Sequence, residues 1–348
     1  MKEVADDDDT VSTRAVNIRL PQRCHTREGR LRRVGVEIEM IGLSLERIAG
    51  IVAGQFDLSI AEDGRYERVL SGDPAGDWRV ELDFSLLQKL GREERRAEVL
   101  LDEIRASAED VLKRLADPIV PLEVVSPPLP MSRLQEVESL IEALRDAGAR
   151  GTTDNFSYAF GMQLNPEVPD TDPATLRGYL QAFLCLYPWL YKRADIDLTR
   201  RLTTYIDPFP MRYVRRVIAA DYRPDMKTLI DDYLADNATR NRALDLLPLF
   251  LHLDEARVRA VTDDPLIKAR PALHYRLPDC QIDLPDWGLH VAWHDWLEVE
   301  ALAEDSARLG ECCAAYAAFL DRPMQRWLGH WENEVEARWL AGTNPEHS

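Results

Sequence analysis

The sequence predicts an α+β protein with an antiparallel sheet, helices packed behind that sheet and a helical C-terminal part. Short segments in the first half of the chain alternate apolar and polar residues, which is typical of strands with one buried face. Longer segments in the second half have the apolar spacing of helices. Strands cluster before residue 166 and return near residue 275, so the pattern favours one sheet covered by helices.

The elements follow one another in a simple order. The sequence predicts strands at 15–20 and 34–41, a helix at 44–56, a hairpin turning at Asp63-Gly64, a strand from Trp78, a helix at 92–117, a strand at 119–126, a helix at 132–147, a strand near 161–165, helices through 173–262, a strand at 270–283 and two helices within 290–340. We therefore expect a disordered acidic tail at 1–14, a main domain at 15–300 with a helical insertion at about 173–262, and a C-terminal helical extension at 301–348.

Composition excludes some classes of function. The 348 residues include 61 acidic and 43 basic side chains, a formal charge of −18, which argues against non-specific binding to nucleic acid or to an anionic membrane. No apolar run approaches the roughly 20 residues of a membrane span, and the acidic N-terminus does not resemble a signal peptide. We expect a cytoplasmic protein. The five cysteines lack CxxC spacing and are expected to be free thiols.

The segment GVEIEM at 35–40 places two acids on one face of a strand. Side chains alternate along a strand, so Glu37 and Glu39 share one side while Val36, Ile38 and Met40 share the other. Adjacent like charges cost free energy unless a positive group lies between them. A divalent cation is one candidate for that group.

Four other segments have the same parity of an apolar back and a polar front. Alternation alone is typical of any half-exposed sheet, but these fronts carry ligand-forming side chains rather than threonine and lysine. Carboxylate and amide oxygens suit Mg²⁺ or Mn²⁺, and arginine suits phosphate or carboxylate. The front residues are Arg79, Glu81 and Asp83; Glu123; Gln163 and Asn165; and His274 and Arg276.

The order of these motifs resembles a known family. GVEIEM, WRVELDFSLL, LEVVSPPL, GMQLN and a late strand ending in arginine are similar to the amidoligase family of glutamine synthetase-like carboxylate-amine ligases, related to glutamate-cysteine ligases, over about residues 33 to 300. The resemblance implies a glutamine synthetase-like antiparallel sheet with a polar catalytic face. It also implies that Glu37, Glu39 and Glu123 hold the catalytic metals.

Two further motifs depart from the family pattern. Gly161-Met162-Gln163-Leu164-Asn165 is similar to the Gly-Met-His-x-His strand of glutamine synthetase, so the resemblance implies metal or nucleotide contacts for Gln163 and nucleotide contacts for Asn165. His274-Tyr275-Arg276 resembles a Glu-Phe-Arg motif, which makes His274 a candidate metal ligand and Arg276 a phosphate-binding residue.

Other candidate site residues keep two interpretations. Arg270 precedes the late strand and could bind cofactor or remain solvated. Asp83 could orient the amine or form a structural ion pair with Arg79. His290 and His294 have a spacing that can bind zinc, but packing is favoured because no further ligands can be named. The basic run Arg27 to Arg33 is expected to be a solvated segment that precedes the strand at 34–41.

The implied activity is an ATP- and Mg²⁺- (or Mn²⁺-) dependent carboxylate-amine ligase that forms an amide through an acyl phosphate. Its partners would be small-molecule or peptide carboxylate and amine substrates, such as an amino acid, a polyamine or a peptide, and homo-oligomerisation is left open. The sequence has neither GxxxxGK[ST] nor GxGxxG, the two commonest motifs for nucleotide binding. It also lacks the GxSxG motif of serine hydrolases. The alternatives are a divergent non-catalytic member that binds nucleotide, metal or a partner protein, and a purely structural sheet. We expect Glu37→Gln and Glu39→Gln to leave the fold nearly intact.

Overall fold

One nine-stranded antiparallel sheet carries the polar residues. The computed structural model describes residues 17–62, 66–82, 122–152, 160–194, 207–322 and 330–341. The strand order is β2-β3-β4-β5-β1-β7-β9-β8, and β6 pairs with β1. The strands are β1 (Arg33–Met40), β2 (Ser59–Glu62), β3 (Glu67–Ser71), β4 (Trp78–Leu82), β5 (Leu122–Val125), β6 (Leu129–Pro130), β7 (Met162–Pro166), β8 (Leu244–Asp245) and β9 (His274–Tyr275).

Ten α-helices lie within the described residues. Their ends follow local chemistry: Ser44 caps the first helix by accepting a hydrogen bond from the Arg47 N–H at 3.2 Å, and Asp57 ends it in the left-handed region. The helices are α1 (Leu45–Phe56), α2 (Leu134–Asp146), α3 (Pro173–Arg193), α4 (Met211–Val217), α5 (Met226–Asn237), α6 (Leu247–Leu253), α7 (Glu255–Arg259), α8 (Leu289–Glu304), α9 (Ser306–Leu320) and α10 (Trp331–Arg338).

The helices cover the apolar back of the sheet. The back residues of β1 are fully buried, and α1 contacts β3, β4 and α2 behind that part of the sheet. At the other end, Tyr275 of β9 packs against Trp296 of α8 at 5.3 Å and Phe183 of α3 at 5.9 Å between ring centroids. The predicted arrangement of a large antiparallel sheet with helices behind it is therefore confirmed.

Several element predictions need correction. Residues 17–20 are not in a strand, and the described residues between 289 and 341 form three helices rather than two. The two-residue strand β8 lies inside the segment predicted to be helical. Helix α8 spans Leu289–Glu304, and the predicted domain boundaries stay predictions. The hairpin turn at Asp63-Gly64, the helix at 92–117 and the tail at 1–14 lie outside the described residues.

The expectation that the basic run is solvated is wrong for one of its arginines. Arg32 is 0% exposed and forms two hydrogen bonds of 2.7 Å with the carboxylate of Glu300 on α8. Arg32 continues the parity of Val34 and Val36, so its side chain points to the apolar back, where the Glu300 charge is the compensating partner. Among the described helices, none combines the length and the apolar composition of a membrane span.

Candidate active site on the polar face of the sheet

Four glutamates form a row across four neighbouring strands. The strand register pairs Glu39 of β1 with Glu123 of β5, Glu123 with Glu81 of β4, and Glu81 with Glu67 of β3. Directly opposite residues have Cβ atoms about 4.5–5.5 Å apart, so negative charge is concentrated along this line of the sheet. At one end of it, Glu67 is paired with the Arg79 Nη1 at 3.4 Å. We call Glu39, Glu123, Glu81 and Glu67 the glutamate row. Strand parity could not reveal it, because the register between strands is not encoded locally.

Glu37 lies outside the glutamate row, although it shares its face with Glu39. Its Oε1 accepts a hydrogen bond of 2.8 Å from the Asn165 Nδ2. Burial raises the pKa of Glu37, but His274 in its protonated form, the Arg270 guanidinium and the hydrogen bond from Asn165 lower it below its ordinary value. Glu37 is therefore an anion at neutral pH.

A directional hydrogen-bond chain connects β1, β7 and β9. The carboxylate of Glu39 accepts from the Gly161 N–H at 2.7 Å and from the Gln163 Nε2 at 2.8 Å. Gln163 then presents its Oε1 to the Nε2 of His274 at 2.8 Å. Because an ionised carboxylate only accepts, it orients the amide, and the amide oxygen favours a proton on His274 Nε2.

His274 also contacts an acid that sequence analysis missed. Burial lowers the pKa of His274, although the neighbouring Asp245 and Glu37 act to raise it, and the imidazole is neutral at pH 7. Its Nδ1 lies 3.8 Å from Oδ2 of Asp245, a fully buried residue of β8. That Oδ2 accepts no hydrogen bond in the described part of the chain. The available signal was a single charged residue within the apolar run 243–251.

An arginine-rich pocket of about 430 Å³ adjoins Glu37 at the N-terminal end of β1. Arg270 reaches into this region, and its Nη2 donates to the Asn165 Oδ1 at 2.6 Å. Asn165 thus bridges the Glu37 carboxylate and the Arg270 guanidinium. The pocket is lined by Arg30, Arg33, Gly35, Glu37, Val125, Ser126, Pro128, Asn165, Glu167, Arg270, Pro271 and Ala272.

The polar face is largely buried at its centre. Glu39 and Gln163 are each 8% exposed, Asn165 is 6% exposed and His274 is 8% exposed. Within the described ranges, no group of three or more His, Cys, Asp and Glu side chains has the geometry of a metal site. The metal roles of Glu37, Glu39, Glu123, Gln163 and His274 therefore stay predictions.

The remaining predicted site residues lie in different places. Arg276 is outside the arginine-rich pocket, and its Nη1 donates to the Arg240 carbonyl. Asp83 lies outside the described residues. His290 contacts the Glu138 carboxylate at 2.8 Å and belongs to a separate polar contact behind the sheet.

The fold and these side chains define an α+β protein with a charged site on one face of an antiparallel sheet. A family model described as "Putative amidoligase enzyme" matches residues 30–298, which is most of the chain and includes the sheet. The chain belongs to this amidoligase family, as its motifs predicted. No curated protein sequence matches it significantly.

Proposed function

We propose that the protein is an ATP- and Mg²⁺-dependent carboxylate-amine ligase with a glutamine synthetase-like site. The observation that carries this proposal is the glutamate row beside the arginine-rich pocket on one face of the sheet. Carboxylates suit a metal and guanidinium groups suit anionic substrates, and the family match supports a ligase. The substrates would be an acid and an amine of the amino acid, polyamine or peptide type.

The glutamate row has the chemistry that Mg²⁺ requires. Mg²⁺ prefers carboxylate oxygens and is commonly held by few protein ligands together with substrate phosphates. Glu39 and Glu123, which are directly opposite each other in the strand register, would supply two carboxylates to it, and the phosphates of ATP would complete its coordination. When bound, the metal would neutralise charge on the phosphates of ATP and polarise the transferred group.

The arginines would position the anionic reactants. A carboxylate is a poor electrophile, so the reaction needs phosphoryl transfer from ATP to its oxygen, followed by attack of an amine on the acyl carbon and release of phosphate. The protein's main tasks are orientation and charge stabilisation. Arg270 and Arg276 supply guanidinium groups near Glu37, where their charges lower its pKa.

Binding without turnover is a second candidate function. Both carboxylate oxygens of Glu39 already accept hydrogen bonds, and Gln163 occupies a family position where histidine is expected. The Arg276 guanidinium donates to a backbone carbonyl. These contacts favour a divergent member whose site binds nucleotide or metal but does not complete the reaction.

Calorimetric titration with a non-hydrolysable ATP analogue tests the proposal. We expect Mg²⁺-dependent binding to the wild type and to Glu311→Gln, a matched control on the exposed surface of α9. Binding should be lost in Glu39→Gln and Glu123→Gln, with circular dichroism to establish that each variant is folded. Mg²⁺-independent binding, or unchanged affinity in both site variants, would contradict the metal assignment.

A second assay separates the two candidate functions. ADP release is measured with the wild type, ATP, Mg²⁺ and a panel of acids and amines. Release that requires both an acid and an amine supports the ligase. Metal-dependent nucleotide binding with no ADP release from any pair would instead favour the non-catalytic candidate.

A further inference from the structure

The arginine-rich pocket contains more positive charge than its acids neutralise. Among the described residues, three arginines and two glutamates line it. Glu167 is already occupied, because its carboxylate accepts two hydrogen bonds from Arg30, at 2.6 and 3.0 Å, and one from the Arg33 backbone N–H at 2.9 Å. The Arg30 and Glu167 charges therefore compensate each other, and two guanidinium groups remain.

Those two guanidinium groups keep unused donors. The exposed side chain of Arg33 has no hydrogen bond or ion pair with any described residue. Arg270 uses Nη2 for the Asn165 amide, while its buried Nε has no acceptor in the part of the chain that the structure describes. A guanidinium presents its donors in a planar fork that matches a carboxylate. The pocket is thus suited to a ligand with a negative group.

The acids of the pocket select among negative ligands. A triphosphate would bring several negative charges beside Glu37 and Glu167, whereas a carboxylate brings one. An amino acid also brings an ammonium group, which the Oε2 of Glu37 could accept. The Asn165 hydrogen bond goes to Oε1, and the His274 Nε2, which is hydrogen-bonded to Gln163, lies 3.9 Å from Oε2, beyond hydrogen-bond distance. A polyamine would place cations among three arginines. Charge therefore favours a zwitterion over both alternatives.

The size and walls of the pocket agree with a small zwitterion. Its volume of about 430 Å³ lies in the range of small-molecule sites. Val125, Pro128, Pro271 and Ala272 provide apolar surface for a side chain. Gly35 contributes no side chain, and a Cβ at its position would lie 3.4 Å from the Asn165 Cβ, so glycine keeps this part of the pocket wide.

We infer that this pocket binds a free amino acid substrate, with its α-carboxylate on Arg33 and Arg270 and its ammonium group on Glu37. The inference rests on the proposed ligase function, since it names the substrate class of the same site. It gives Arg33 a role in binding substrate, whereas the sequence analysis expected the basic run to be solvated. It also removes polyamines from the substrates that this pocket accepts.

Binding of matched amino acid and amine pairs tests the inference without turnover. Each of the protein amino acids is titrated beside the amine that lacks its α-carboxylate, in EDTA and without nucleotide, by calorimetry. We expect at least one amino acid to bind and its decarboxylated partner to bind at least about tenfold more weakly. Arg33→Gln should weaken that amino acid about 10- to 100-fold, because one charged contact is lost.

Control variants make the test specific. Arg47→Gln removes an exposed arginine on α1 and should leave affinity unchanged. Glu37→Gln should weaken the amino acid but not a carboxylic acid that has no ammonium group. Arg33 is exposed, so its replacement is not expected to disturb folding.

Each result supports or overturns the inference. Absence of binding by every amino acid overturns it, as does equal binding of the decarboxylated amines. Weaker binding of the ATP analogue in Arg33→Gln, with amino acid affinity unchanged, would assign the pocket to the nucleotide and also overturn it. Amino acid binding as expected, without Mg²⁺-dependent nucleotide binding, would support this inference while contradicting the ligase proposal.

Discussion

Replacing Glu300 should destabilise the protein strongly, because its carboxylate compensates a charge buried behind the sheet. Arg32 donates to both carboxylate oxygens of Glu300 at 2.7 Å. Trp296 Nε1 donates to the same group at 2.7 Å, and the Tyr179 hydroxyl donates at 3.2 Å. Glu300→Leu therefore leaves one buried cation and two buried donors without their acceptor.

The expected loss can be worked out from these contacts. Removing one partner of a buried ion pair costs about 3–5 kcal/mol. Each donor left without an acceptor adds about 1–3 kcal/mol, although Arg32 keeps the backbone carbonyls of Arg23 and Glu167 at 2.7 Å. We expect a loss of about 5 kcal/mol or more, a large fraction of the roughly 5–15 kcal/mol that stabilises a typical domain.

Urea unfolding, followed by tryptophan fluorescence and circular dichroism, measures this loss. The matched comparison is Arg32→Met combined with Glu300→Leu, which removes both charges. This double variant should be more stable than Glu300→Leu alone, because no uncompensated charge remains. The reasoning is refuted if Glu300→Leu lies within about 1 kcal/mol of the wild type, or if the double variant is no more stable than the single one.

Three further predictions concern the site and its supports. Glu39→Gln should lower the free energy of unfolding by about 1–3 kcal/mol. The carboxylate accepts from the Gly161 N–H and the Gln163 Nε2, and the new amide would turn its own NH₂ group toward one of these donors. Glu37→Gln should cost less in the same urea titration, and equal losses would contradict the network. Stability should fall as the pH drops below the ordinary histidine pKa of 6.5, because unfolded His274 takes up a proton that the buried neutral imidazole does not. Urea titrations from pH 5 to 8 should show a smaller slope in His274→Gln, and an unchanged slope would exclude this residue as the source. Gly151→Ala should destabilise by more than about 2 kcal/mol, since its Cβ would lie 2.0 Å from the Cys280 carbonyl oxygen; wild-type thermal stability would contradict that contact.

Strand parity predicted much of the polar face correctly. Glu37, Glu39, Gln163, Asn165 and His274 lie on one side of the sheet, because alternation along a strand is a local property of the chain. The same reasoning expected Glu39→Gln to be structurally mild. Parity identified the face but not the hydrogen bonds that Glu39 makes across it.

The rest of the site depends on distant parts of the chain. The glutamate row requires the register between strands, which alternation within a single strand does not determine. Arg32 is buried because Glu300, 268 residues away, neutralises it. Strand β8 has two residues, too few to show a period, so the signal for Asp245 was limited to its charge within an apolar run.

The basic run also protects β1 against slippage. Arg32 faces the ion pair behind the sheet, while its neighbour Arg33 faces the pocket in front. A slip by one residue would turn Arg33 toward the apolar back without a matching acid, and would turn Glu37 and Glu39 into the core. The charges at the start of β1 thus make the shifted strand register less stable than the native one. The native register keeps Glu37 and Glu39 on the face where the reaction is proposed to occur.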